Sequence, residues 1–226
     1  MRTRHLIIAA AAACVILPSL SFGQVGKAGP SFGILLGTNI ATISDADQGI
    51  GAAVGGAFNK KQRIGLNAGV FLKIPLAGMV SLQPEAHYAQ NGVSIESKTG
   101  TIQTLDVKID YVEIPVLLRL DVGTGSVHPV FMAGASAAYR IKCQLFASAG
   151  TTSLTRDCKV DAATEDTFKK TDFSVVGGAG LATTAMGRSY SLQLRYTYGL
   201  TDIATNSTAT TQPKNRTISI LLGLGF

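Results

Sequence analysis

YSLQLRYTYGL, residues 190–200, divides its side chains cleanly in two. Tyr190, Leu192, Leu194, Tyr196, Tyr198 and Leu200 share one parity, while Ser191, Gln193, Arg195, Thr197 and Gly199 share the other. A helix, with about 3.6 residues per turn, would scatter both sets around its axis. A strand has a period of two and places them on opposite faces. TISILLGLGF, residues 217–226, repeats the pattern, with Ile218, Ile220, Leu222, Leu224 and Phe226 against Thr217, Ser219, Gly223 and Gly225.

Outward from these segments, the same alternation recurs towards the N-terminus. Phe32, Ile34, Leu36 and Ile40 oppose Gly33, Gly37 and Asn39. Ile64, Leu66, Ala68, Val70, Leu72 and Ile74 oppose Gly65, Asn67, Gly69 and Lys73. Val80, Leu82, Ala86 and Tyr88 oppose Ser81, Gln83, Glu85 and His87. Between 104 and 120 the apolar parity switches. Leu105, Val107, Ile109 and Tyr111 are expected to face outward first, then Val112, Ile114, Val116, Leu118 and Leu120, with a β-bulge near Tyr111 producing the shift. Two Ala- and Gly-rich segments, about 128–142 and 171–185, complete eight strands.

The N-terminus reads differently. Residues 1–23 have a basic start (Arg2, Arg4), an apolar stretch from Leu6 to Leu17, Pro18, and small Ser21 and Gly23 before Gln24. This is the layout of a cleaved signal peptide, leaving 24–226 as the mature domain. Beyond residue 23 no apolar run approaches the roughly 20 residues of a transmembrane helix. The net charge of +6 falls by two without Arg2 and Arg4. The remaining basic residues are scattered, which argues against a nucleic-acid partner.

Alternation alone does not distinguish a soluble sandwich from a membrane barrel. Three features favour the barrel. Gly dominates the less apolar face, as a narrow interior requires. The apolar faces are long and unbroken. Expected connections alternate between short (75–79, 121–127, 185–189) and mostly long (44–62, 97–103, 143–170, 206–213). The fold expected is therefore all-β: an eight-stranded antiparallel up-and-down transmembrane β-barrel in the outer membrane. Both termini would be periplasmic, and Phe226 would serve as the C-terminal insertion signal.

The runs FGILLGTNIATIS (32–44), GLNAGVFLKIPLAGMVSLQPEAHYAQNG (65–92) and DYVEIPVLLRL (110–120) resemble the PorT-type outer-membrane β-barrel family. Gln83-Pro84-Glu85 and Glu113-Ile114-Pro115 occupy places of its third- and fourth-strand motifs. His87 stands where that family often has Leu. The resemblance implies the barrel fold. One branch of the family is associated with secretion machinery, a role that fold alone does not transfer.

Lys73, Glu85, His87, Glu113, Arg119, Gln193 and Arg195 are expected to form a polar network in the lumen. Counting back from the connection at 97–103 sets Glu85 and His87 level with Glu113 and Pro115, and Gly180 and Gly225 would leave room for Arg195 to reach across. Acid–base catalysis is one use of such a group. A salt-bridge plug is favoured, because an eight-stranded barrel is just wide enough for its own side chains. Cys143 and Cys158, exported to an oxidising compartment, are expected to form a disulfide in the longest outer loop. No metal, cofactor or catalytic residue is expected. The expected function is a non-enzymatic structural or surface-interaction role. A narrow channel or secretion accessory is the alternative, and a barrel hydrolase using Glu85, His87 or Glu113 comes third. Expected partners are outer-membrane lipid, the barrel-assembly machinery during insertion, and an extracellular ligand or envelope component.

Overall fold

A computed structural model describes residues 29–44, 58–97, 104–123, 125–149, 151–158, 169–203 and 212–226. The segment 1–23 read as a signal peptide lies outside them. The described residues form nine strands: β1 (Ser31–Ile43), β2 (Phe58–Ala77), β3 (Val80–Ser97), β4 (Thr104–Asp121), β5 (Val127–Ala149), β6 (Thr152–Asp157), β7 (Thr171–Ala185), β8 (Arg188–Gly199) and β9 (Asn215–Gly225). Eight of them close on themselves. Antiparallel pairing runs β4-β3-β2-β1-β9-β8-β7-β5, and β4 pairs with β5 to complete the ring. The ninth, β6, pairs only with the far end of β5.

The two ends of the barrel differ. At the turn end, Gly78–Met79 and Met186–Gly187 make tight turns, and Gly78 and Gly187 both have positive φ. The longer connections lie at the loop end, where β2 to β5 rise beyond the rest of the wall. The expected loop at 143–170 is in part strand, because β5 runs on to Ala149 and folds back as β6.

The faces point as a membrane barrel requires. Ile34, Ile114, Phe131, Leu181, Leu192 and Leu222 are 48–63% exposed on the outer wall. Gln83, Glu85, His87, Arg119, Gln193 and Arg195 are all under 5% exposed inside it. A soluble sandwich would show the reverse. Exposed aromatics gather towards both ends, with Phe32, Tyr190 and Phe226 at the turn end and Tyr139, Phe173 and Tyr198 at the loop end. Such girdles mark the two membrane interfaces of outer-membrane barrels.

The expected bulge in β4 is corrected. β4 holds one register against β3 from Val80–Leu120 to Glu96–Thr104. The irregularity lies on β5: Asp110 pairs Lys142 but Tyr111 pairs Arg140, so Ile141 is the extra residue. β4 never changes phase. Val107, Ile109 and Tyr111 point inward, as Leu117 and Arg119 do, and are at most 1% exposed. What changes along β4 is the character of the interior, which is polar in the middle and apolar above. Val107, Ile109 and Tyr111 join Ile43, Val93, Ile95, Cys143, Cys158 and Ile203 in a buried apolar cluster at the loop end. A disulfide joins Cys143 on β5 to Cys158 just after β6.

The seam between β1 and β9 depends on a close approach. A Cβ on Gly37 would lie 1.9 Å from the Ile220 carbonyl oxygen, which is backbone and cannot yield. Gly37→Val is therefore expected to destabilise closure by about 1–3 kcal/mol. The check is the fraction of detergent-folded protein that migrates in compact form on a gel before boiling. Cys143→Ser with Cys158→Ser is expected to loosen the β5–β6 hairpin by roughly 3 kcal/mol. Limited proteolysis should then cut near 150 at a rate that rises while the barrel fragment persists.

Candidate functional site

The interior is built in layers along the inward parities of the strands. At the turn end, Asp121 gathers three basic side chains. Lys73 Nζ lies 2.9 Å from it, Arg119 Nη2 2.9 Å and His128 Nε2 3.3 Å. These groups face a cavity of about 150 Å³ that Ser31, Phe71 and Ser191 also line.

Arg119 links this layer to the next by donating from Nη1 to Gln83 Oε1 at 3.2 Å. Gln83 donates to Glu85 Oε1 at 2.6 Å. Glu85 is the hub. Arg195 reaches across the lumen from β8 and grips both its oxygens, at 2.6 Å and 2.8 Å. This two-pronged geometry is the strong form of the Arg–carboxylate pair. His87 Nε2 lies 2.6 Å from Glu85 Oε2. Gln193 Oε1 accepts from Arg195 Nε at 3.0 Å and braces the guanidinium. Space for the Arg195 stem comes from Gly178 directly opposite it, where a Cβ would stand 2.9 Å from Arg195 Cγ. The expected Gly180 and Gly225 do not provide it.

A relay of amides runs from the other side of His87. His87 Nδ1 is 2.7 Å from Asn67 Oδ1. Asn67 donates to Asn39 Oδ1 at 2.9 Å, Asn39 to Asn91 Oδ1 at 3.0 Å, and Asn91 to Glu113 Oε1 at 3.1 Å. Ser219 adds a donor to Asn39 Oδ1 at 2.7 Å. Each amide of the relay donates towards Glu113, which leaves Asn67 Oδ1 facing His87 Nδ1 while Glu85 Oε2 faces Nε2. Arg195 balances Glu85 in a space where unpaired charge is costly.

The free volume among Asn67, His87, Glu113, Arg195 and Ser219 is about 10 Å³, no more than one water molecule fills. Above it, Asp172 accepts from Asn215 at 2.6 Å and also from Thr201. Asn215 also donates to the Tyr111 hydroxyl at 3.3 Å, directly beneath the apolar cluster.

All seven polar residues expected in the lumen are there, but in two groups. Lys73 and Arg119 belong to the turn-end cluster on Asp121, while Glu85, His87, Gln193 and Arg195 form the central knot. Glu113 pairs opposite His87 across β3 and β4 and joins the knot through Asn91, not by direct contact with Glu85. Sequence reasoning missed Asp121 and the Asn39–Asn67–Asn91 relay. Their inward parity was visible, since Gly37-Thr38-Asn39 and Gly65-Leu66-Asn67 share one spacing. Phe226 stacks on Phe32 at 5.4 Å, under the Arg188 guanidinium, where its backbone N–H also donates to the Phe32 carbonyl at 2.7 Å. Among the described residues no group of three or more His, Cys, Asp and Glu is arranged to hold a metal.

A closed eight-stranded wall, an apolar exterior and a packed polar interior agree with the family assignment. The model for the outer membrane protein beta-barrel domain matches residues 22–205. The chain belongs to this outer-membrane barrel family. Among curated proteins, none matches it in sequence. Three solved outer-membrane proteins are similar to it. The attachment invasion locus protein of Yersinia pestis, in complex with a heparin analogue, is 14% identical with a TM-score of 0.44 over 88% of this chain and 100% of that one. Neisserial surface protein A is 12% identical, TM-score 0.48, over 88% and 98%. The outer membrane protein OprG of Pseudomonas aeruginosa is 14% identical, TM-score 0.47, over 89% and 98%. At such identities no role transfers from one barrel of the family to another.

The central knot predicts an asymmetric response to charge removal. Arg195→Met strands the buried Glu85 carboxylate and is expected to cost about 3–5 kcal/mol. Adding Glu85→Met removes the orphaned charge and should recover part of that loss. Urea unfolding in detergent micelles measures both, and equal stability of the single and double variants would contradict a paired knot.

Proposed function

We propose that this protein is a plugged, non-enzymatic outer-membrane barrel whose interactions take place at its loop end. The observation that carries the reading is the filled lumen. The Glu85–Arg195 knot occupies the barrel's middle, and an apolar cluster closed by the Cys143–Cys158 disulfide lies above it. A solute entering from the turn end meets side chains at packing distance, with room for a single water at the centre.

Strand count and turn length support one orientation. Eight crossings bring both ends of the barrel domain to the turn end, and short turns on the periplasmic side are the habit of such barrels. The loop end then faces the exterior. Residues 1–23 act as the export signal, and Phe226, exposed at the turn end beside Phe32, is offered to the barrel-assembly machinery. The motifs around Pro84 and Pro115 support a place near the PorT-type branch, without that branch's secretion role.

Acid–base catalysis by Glu85, His87 or Glu113 is disfavoured because the Glu85 and His87 side chains are 0% and 2% exposed and committed to each other. A channel reading meets the apolar cluster, which offers an ion no ligands. In planar bilayers the wild-type protein is expected to give no discrete conductance steps. Glu85→Ala with Arg195→Ala is expected to stay silent as well, because the apolar cluster still closes the loop end. Steps from the wild type would overturn the plugged reading.

A further inference from the structure

On the outer wall near the turn end, β7, β8, β9 and β1 form an open groove of about 460 Å³. Strand pairing sets its lining in two rows. Leu181, Leu192, Leu222 and Leu36 stand side by side in the row farther from the turns. Thr183, Tyr190, Leu224 and Ile34 form the row nearer to them. All eight have the outward parity of the apolar belt. Neighbouring strands lie about 4.8 Å apart, so each row is about 14 Å wide.

A third row follows two residues further towards the turns, about 7 Å along the strands. It holds Arg188, Phe226 and Phe32. The Arg188 guanidinium lies 4.9 Å from the Phe226 ring centre, and Phe226 in turn stacks on Phe32. A guanidinium held by its face keeps its N–H edge free, and that edge is what matches a phosphate in two-pronged fashion. Arg188 is exposed and, among the described residues, Phe226 included, it forms no ion pair. The one described Asp or Glu at the turn end, Asp121, lies in the lumen, taken up by Lys73, Arg119 and His128. An unmatched positive charge therefore stands at the edge of an apolar groove, level with the aromatic girdle that marks a membrane interface.

The geometry points to a site for one glycerophospholipid of the leaflet at the turn end, with its phosphodiester on Arg188 and an acyl chain in the groove. The site requires only that the exposed belt lies in lipid; in the orientation proposed above, the leaflet is the periplasmic one. A second copy of this chain fits the groove less well, because its own turn end offers Arg188 no free carboxylate. Lipid tails are as apolar as leucine, so filling the groove gains nothing from the hydrophobic effect. Residence of the lipid depends on dispersion contact with the groove walls and on charge-assisted hydrogen bonds to the headgroup. Each contribution can be removed separately.

The test uses the full barrel in dodecyl maltoside micelles, which carry no phosphate, titrated with phosphatidylglycerol, with diacylglycerol or with inorganic phosphate. Native mass spectrometry counts the lipids retained per barrel. The wild type is expected to retain one phosphatidylglycerol. Arg188→Gln should weaken that retention about fivefold, the share of one cation at a lipid surface. Thr183→Trp, which fills the groove, should abolish it, while Lys61→Gln, at the loop end and paired with Glu96, leaves it unchanged. Full retention by Arg188→Gln, or diacylglycerol held as well as phosphatidylglycerol, overturns the headgroup contact. Full retention by Thr183→Trp, or displacement of the lipid by an equal concentration of inorganic phosphate, overturns the acyl site. Paired barrels without lipid overturn the assignment in favour of a second copy. The two variants alter different contacts, so misfolding of one leaves the other decisive. Wild-type protein that stays soluble without detergent and never forms a heat-sensitive compact band would sink the membrane reading itself, an outcome separable from all of these.

Discussion

Hydrocarbon offers no hydrogen bonds, so a chain that crosses it with strands must satisfy every backbone N–H and C=O along the wall. This constraint forces the ring to close. Pairing of β1 with β9 and of β4 with β5 leaves no free edge within the eight-stranded wall. Closure in turn fixes a narrow bore, and the narrow bore decides which side chains fit inside. Gly37 at the β1–β9 seam and Gly178 beside Arg195 are consequences of that geometry, one permitting backbone approach and the other making space for a long side chain.

Once closed, the interior has to be self-sufficient. Its polar groups exchange hydrogen bonds with one another in place of water, and the arrangement is a continuous chain from Asp121 through Arg119, Gln83 and Glu85 to His87, and onward through three asparagines to Glu113. Burying ions in such a space is tolerable because opposite charges sit in contact and the remaining donors and acceptors are occupied. The network also carries register information. Arg195 meets Glu85 only when β8 and β3 stand at matching heights, so a slipped strand would leave a charge unpaired. Above this level β2 to β5 rise past the rest of the wall, and the same inward parity becomes apolar. There the strands build a small hydrophobic core of their own, tied by a disulfide.

Much of this was legible from alternation. The eight wall strands, the short turns, the outward apolar faces and the seven lumenal polar residues all follow from parity, because period two is a local property of an extended chain. β4 was misread for a physical reason. Val107, Ile109 and Tyr111 look like lipid-facing residues when apolar is equated with outward, yet they line a closed apolar cap. The true bulge, at Ile141 on β5, lies in a stretch where Ala, Tyr, Arg, Ile and Lys give no clean alternation to break. Asp121 and the asparagine relay were visible as inward positions, but their partners come from strands distant in sequence, with Asn39 and Asn91 separated by 52 residues.

By itself, then, the amino-acid order determined that this chain crosses a membrane as strands and which parity of each strand is enclosed. Those facts depend only on neighbours along the chain and on the incompatibility of bare backbone with lipid. Only the closed structure decided that the lumen is filled around a central Glu85–Arg195 knot and that its loop end is capped by an apolar cluster. These depend on which strands face one another across the bore and at what height, which barrel closure settles and no local pattern encodes.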